Sequence, residues 1–278
     1  MAITDLAGVS KPMCKLIDVF QNSCSWVLKP LQIKRIAAAT SKASSIQSND
    51  EFKKGLKQSL LEYTINALHS AREKRQFENV ASIYASAAQE LQMIDSVDDT
   101  PVNQDWAARF FDYAKDISND EARIVWGKIL AGEVAKPGSF FKRTLSILQD
   151  IETFEAEWFR DFCQFVIDDA YVPKPLIDKY YPVNQLQSLI DCGLINGVDV
   201  SFLHTADTTE ISSKTLLIKP ACSATFNTEI RIEAFTLTDA GIQLYKITQC
   251  QTNYTYMEKY KEIIEQWCSL QLEIIPNT

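Results

Sequence analysis

Helix breakers are rare in this chain, with eight Gly and nine Pro among 278 residues. A sandwich or barrel of many strands needs a tight turn every few residues, and Gly and Pro supply most such turns. Their scarcity points to helices joined by a few well-marked breaks. Hydrophobic residues at 46% and charged residues at 23% fit a packed globular chain of about two domains.

Periodicity divides the chain into four parts. Residues 1–48 read as an amphipathic N-terminal segment and linker. Met13, Leu16, Ile17, Phe20 and Cys24 fall at helical steps on one face, Pro12 sits in a first turn behind Ser10, and Pro30 interrupts the run. Residues 49–170 read as a helical domain. Leu56, Leu60, Tyr63 and Leu68, then Ile83, Tyr84, Ala87 and Leu91, recur at helical intervals. Thr100-Pro101 predicts a helix start carrying Trp106 and Phe110. Ser118 to Glu121 reads as a capping box for a helix ending near Gly132, and Ser139 as the cap of the next. Thr153 opens an aromatic helix with Glu155 and Glu157 at its positive end.

Residues 171–250 change character. A short helix from Val183 to Cys192 ends at Gly193, suited to a left-handed cap. A polar excursion from Asp199 to Ser213 follows, then extended segments at Lys214–Lys219 and Glu229–Phe235, expected to pair as a hairpin. Thr238-Asp239-Ala240-Gly241 opens another helix. Helix, Gly-capped turn, hairpin, helix is the order of a winged-helix-like α/β unit. Residues 251–278 read as a C-terminal helix with Met257, Tyr260, Ile264, Trp267 and Leu270 on one stripe. The fold class expected is therefore mainly α, a multi-helix N-terminal and central part with a C-terminal winged-helix-like α/β unit.

The net charge of −8 is uneven, +5 over residues 1–80, −9 over 81–170 and −4 over 171–278. The acidic centre argues against wrapping nucleic acid there, since phosphate neutralisation supplies most of that affinity. Seven cysteines without a CxxC, and no secretory h-region, suggest free thiols in a cytoplasmic setting. No apolar run is long enough to span a bilayer.

Catalytic constellations are missing. His69 and His204 are the only histidines, too few for a His-rich metal centre, and no phosphate-binding loop, dinucleotide turn or nucleophile elbow is present. Asp98-Asp99 and Asp168-Asp169 read as polar helix boundaries, because sequence neighbours point apart on regular elements. No residue is assigned a catalytic, cofactor-binding or metal-ligating role, and no cofactor is expected. For DNA, Asn184, Gln185, Gln187 and Ser188 offer hydrogen bonds to bases, but their helix holds no Lys or Arg. Phosphate contacts would fall to Lys174, Lys179, Lys214 and Lys219.

The block from Asp105-Trp106 and Phe110 to Ser118, followed by Trp126-Gly127-Lys128-Ile129-Leu130-Ala131-Gly132-Glu133, Lys136-Pro137-Gly138-Ser139 and Arg143-Thr144-Leu145, resembles the central block of a bacterial family of unknown function. That block is similar to one in abortive-infection alpha proteins. Leu6 to Pro12, Pro30 to Ala37 and Leu237 to Leu244 also resemble that family. The resemblance brings no catalytic residues and implies a bacterial or prophage setting with a role in phage defence. In the central block Trp106, Phe110, Trp126 and Leu130 are expected in the core. Gly132 and Gly138 are expected in tight turns. Lys128, Glu133, Lys136 and Arg143 are the residues that would present a polar surface.

Three readings stand open. The first is a non-enzymatic interaction protein in phage defence, with a protein partner and a docking N-terminal segment that also permits peripheral contact with the inner membrane. The second is a DNA-binding regulator using the winged-helix-like unit. The third is an enzyme of unrecognised type. Oligomeric state is not legible.

Overall fold

The computed structural model describes residues 10–23, 49–64, 71–94, 96–177, 179–204, 210–221, 230–268 and 270–277. It is mainly α, with a C-terminal α/β region, and divides into two compact units, one ending at Leu145 and one beginning at Ser146. No helix among the described residues is long and apolar enough to cross a membrane.

In the first unit, α1 (Lys11–Ser23), α2 (Asn49–Thr64), α3 (Ala71–Leu91), α4 (Gln104–Ala114) and α5 (Asp120–Ala135) precede α6 (Lys142–Asp150), in which the division falls. The unit is built around α3. From Val80 to Ala88 this helix is buried on all sides, which its small Ala and Ser residues permit. A Cβ on Gly127 of α5 would lie 2.4 Å from Ser86 Cβ, so the two backbones meet where only glycine fits. Met13, Leu16, Ile17 and Phe20 of α1 are buried in the same core, with the Phe20 ring 4.8 Å from Tyr84 and 5.7 Å from Phe111. Trp106, Phe110, Trp126 and Leu130 are buried as expected, and Phe110 stacks 5.2 Å from Trp106. Each large side chain so buried contributes about 1.5–3 kcal/mol.

Helix boundaries correct the expectations by a few residues. Pro101 does not open a helix; α4 begins at Gln104, where the Asn103 side chain accepts from Trp106 N at 3.0 Å. The next cap is Asn119 rather than Ser118, accepting from Ala122 N. A carbonyl acceptor placed one residue from the first turn wins in both cases. Gly132 does not end α5, which runs on to Ala135. The glycine instead leaves room for the Phe140 ring, 2.7 Å from where a Cβ would stand. Gly138 does turn, at φ 88°, while the Ser139 hydroxyl donates back to Lys136 O and caps nothing.

The second unit contains α7 (Thr153–Phe162), a 3-10 turn (Cys163–Phe165), β1 (Tyr171–Pro173), α8 (Lys174–Ile177), α9 (Val183–Asp191), β2 (Ile195–His204) and β3 (Ile211–Ser212). It continues with β4 (Leu216–Pro220), β5 (Ile230–Leu237), α10 (Asp239–Ile247), α11 (Tyr254–Cys268) and β6 (Leu272–Pro276). Among the described residues two antiparallel three-stranded sheets form, ordered β1-β5-β2 and β3-β4-β6.

Among the described residues β4 and β5 therefore do not pair as the expected hairpin. β5 sets Phe235 opposite Val172 of β1 and Ile232 opposite Phe202 of β2, whereas β4 sets Ile218 opposite Ile274 of β6. Alternation marks a strand but not its neighbour. The excursion from Asp199 is also shorter than expected, since β2 extends to His204 and β3 occupies Ile211–Ser212. The last helix stops at Cys268 and the chain returns as β6, leaving Trp267 53% exposed.

The Gly193 turn forms as read. Gly193 adopts φ 74°, and Leu194 N donates to Leu189 O at 3.0 Å. Thr238 caps α10 by accepting from Gly241 N, and its hydroxyl donates to Gly193 O at 2.7 Å. A Cβ on Gly241 would sit 2.1 Å from Leu194 O. The Thr-x-x-Gly step thus clamps the start of α10 onto the turn that follows α9.

Candidate functional site

Of the central-block residues expected to form a polar surface, Glu133 is 1% exposed. Its two oxygens accept from Gly138 N at 2.8 Å and Phe140 N at 3.0 Å, closing the α5–α6 connection. Burial pushes its pKa up; the amides of Gly138, Phe140 and Ser139 and the charge of Lys15 oppose without cancelling it. Lys136 and Arg143 are exposed and Lys128 half-buried. Glu133 is a structural staple, and the expected surface loses its carboxylate.

A groove of about 330 Å³ runs along α1 beside the segment before α4. Lys11 pairs with Asp99, and Lys15 Nζ donates to Asp98 O at 2.8 Å. Burial raises the pKa of Asp18 and Cys14 and lowers that of Lys15, whose charge Asp98 and Asp99 partly restore. These are matched charges around a thiol disfavoured as a thiolate. Burial likewise raises Cys163 and Cys250, and pushes Cys192 up to about 12.

Neither aspartate pair bounds a helix. Asp98 Oδ1 accepts from Thr100 N in the turn before α4, lowering its pKa, while Asp99 pairs with Lys11. Asp168 and Asp169 take φ 47° and 56°, a tight left-handed turn ahead of β1. Asp168 accepts from Ser212 N at 2.7 Å and from the Tyr171 hydroxyl at 3.2 Å, holding β3 against β1. His69 lies outside the described residues. His204 ends β2 opposite Ile230, not in a loop. No group of three metal-ligating residues occurs among the described residues.

The remaining candidate surface is formed by α7 and α9. Ser188 Oγ donates to Glu155 Oε1 at 2.7 Å, and the Tyr181 hydroxyl donates to Trp158 O. Phe159 and Phe162 of α7 point inward. Outward, Phe154 is 47% exposed, its ring 4.9 Å from that of half-buried Trp158, with Glu157 and Asp161 exposed beside them. On α9, Val183 is 78% exposed, and Asn184, Gln187 and Asp191 also face solvent. Residues 150–161 and 183–191 hold six carboxylates against one cation, Arg160.

Of the four lysines expected to touch phosphate, three are bonded to other groups. Lys214 Nζ donates to Tyr245 O and Lys246 O, at 2.9 and 3.1 Å, and lies over the Tyr245 ring. It therefore caps the C-terminus of α10. Lys174 pairs with Glu233 at 3.6 Å and Lys219 with Glu273 at 3.3 Å; Lys179 is exposed. The α7 surface escaped sequence reading because the aromatics read as one buried face. Its signal was the i, i+3, i+4, i+7 spacing of Phe154, Glu157, Trp158 and Asp161, two aromatics alternating with two carboxylates.

A family model described as a protein of unknown function (DUF2806) matches residues 65–182, from the segment before α3 to the cap of α9. No curated protein and no solved structure matches the chain.

Proposed function

We propose that this chain is a non-enzymatic interaction protein acting in bacterial phage defence, and that its second unit is a winged-helix-like module turned to protein binding. The order α7, β1, α8, α9, β2, β5, with β5 between β1 and β2, supports the winged-helix reading and puts α9 where a groove-reading helix would stand. The observation that carries protein binding over DNA is charge. The exposed face of α9 has no cation, its surroundings are carboxylates, and three of the four expected lysines are bonded to other groups. The phage-defence part rests on the resemblance of the Trp126–Ser139 block. The apolar face of α1 is buried, so docking by the N-terminal segment, residues 1–48, would fall to its parts outside the described residues.

Titrating the full chain into labelled duplex DNA at low salt tests the module. The expected result is no saturable binding. Salt-sensitive binding, lost when Lys179 and Lys219 become Glu, would overturn protein binding in favour of the DNA regulator. Plating phage on a bacterial host with and without the chain tests the setting. A clear reduction in plaque counts supports defence, and equal counts remove it.

A further inference from the structure

We propose that the outward stripe of α7, Phe154, Glu157, Trp158 and Asp161, is the docking surface of the second unit for a basic amphipathic segment of a protein partner. The proposal rests on the protein-binding reading and adds the surface and its chemistry.

The four residues fall at i, i+3, i+4 and i+7, so they stand in one line along the helix. Two aromatics alternate with two carboxylates, while buried Phe159 lies on the far side and buried Phe162, one turn on from Trp158, borders the line. The aromatic surface of the helix thus runs from Phe162 in the core, through half-buried Trp158, out to exposed Phe154. The Tyr181 hydroxyl bonded to Trp158 O ties α7 to the segment leading into α9, whose first residue, Val183, is exposed. Glu155 is held by Glu152 N and Ser188 Oγ, which fixes the helix against α9 and gives the stripe a rigid base.

Charge selects the occupant. The stripe and its flanks carry Asp150, Glu152, Glu157, Asp161 and Asp191 at the surface, with Arg160 drawn to Asp161 at 3.8 Å. An anionic membrane or a nucleic acid would meet carboxylates of its own sign. A segment bearing Arg or Lys beside aliphatic anchors meets complementary partners at both kinds of position. Its cations pair with Glu157 and Asp161 or lie over the Trp158 ring, and its apolar side chains cover Phe154 and Val183.

The test uses the full chain and a short labelled amphipathic helical peptide of Leu and Arg, followed by anisotropy. A counterpart peptide carries Glu in place of Arg. The Leu–Arg peptide is expected to bind saturably and the Leu–Glu peptide not. Phe154→Ser, which leaves charge unchanged, should weaken binding about tenfold or more. The double variant Glu157→Lys with Asp161→Lys should do the same, and these two positions are exposed enough to leave the fold intact. Trp267→Ser, an exposed aromatic elsewhere in the unit, should bind like the parent.

Equal binding of both peptides, or parent-like binding by Phe154→Ser and the charge-reversed variant, would overturn the proposal. So would sedimentation showing that the chain self-associates through these same residues, which would make a second copy the occupant. Duplex titration reads a different ligand, so a failed peptide test leaves the protein-binding reading standing on its own result.

Discussion

Glu133 in the first unit and Glu155 in the second both accept hydrogen bonds from backbone amides, yet opposite influences win. At Glu133 burial dominates, and the pKa rises despite three amides and Lys15. At Glu155 burial also raises the pKa, but the Glu152 amide with Ser188 and Cys192 outweighs it, and the net shift is downward. The units show the same contrast in their close contacts. Gly127 admits a neighbouring helix, through Ser86 and Ala87, whereas Gly241 admits a loop carbonyl, Leu194 O. The first unit closes helix on helix around a buried staple. The second closes by threading capping groups between segments far apart in sequence.

The glycines give the largest expected effects. Gly241→Ala puts a methyl 2.1 Å from a backbone oxygen that is fixed by Thr238, and should cost about 3 kcal/mol or more. Gly127→Ala meets Ser86 Cβ at 2.4 Å and should cost about 2–3 kcal/mol. Adding Ser86→Gly removes that obstruction and should recover much of the loss, whereas no side-chain change can relieve Gly241. Urea denaturation of the variants and the double mutant measures this. Additive losses at Gly127 and Ser86 would break the helix-on-helix account.

The carboxylates come next. Glu133→Ala leaves the buried Phe140 N–H without its acceptor and should cost about 2–3 kcal/mol, against about 1 kcal/mol for half-exposed Glu155→Ala. Their pH dependence should have opposite signs. The raised pKa of Glu133 makes its favourable contribution complete below the unfolded value of 4.5 and lost as pH rises through the folded pKa. Glu133→Gln, a mimic of the protonated form, should therefore gain on the parent as pH rises from the acid side toward neutrality. The lowered pKa of Glu155 contributes stability above 4.5 that is lost as pH falls through the folded value. Glu155→Gln should gain on the parent as the medium is acidified. Denaturation midpoints across pH, parent against each variant, read both signs.

Legibility followed the range of the interaction. The turn at Gly193 and the cap at Thr238 were visible because a few adjacent residues determine them. Asn119 was missed by one position and Asn103 by three, since neighbouring Thr, Ser and Asn compete as caps within one turn. Burial of Glu133 was hidden because its partners are backbone amides, which leave no mark in the residue types beside it. Pairing of β4 with β6 and of β5 with β1 and β2 depends on segments far apart in the chain, and alternation within each strand carries no address. The α7 stripe had its spacing in plain view, but deciding which of the aromatics are inside required the sheet and α9.

Asp168 and Asp169 give the smallest effect and the finest form of the comparison, because one tight turn holds both kinds of role. Their φ values of 47° and 56° place both in the left-handed region that glycine occupies most easily. No side-chain hydrogen bond ties exposed Asp169 among the described residues, so Asp169→Gly should stabilise by about 0.5 kcal/mol, relief of strain exceeding the added freedom of the unfolded chain. Asp168 takes the same conformation but receives Ser212 N, Ser212 Oγ and the Tyr171 hydroxyl. Asp168→Gly should therefore destabilise, by about 1–2 kcal/mol, as the Ser212 amide loses its acceptor. Opposite signs in thermal unfolding would show that the strand clamp, and not the turn, is what keeps aspartate at position 168. A gain from both variants would mean that β3 is held by its pairing with β4 and that the carboxylate adds nothing.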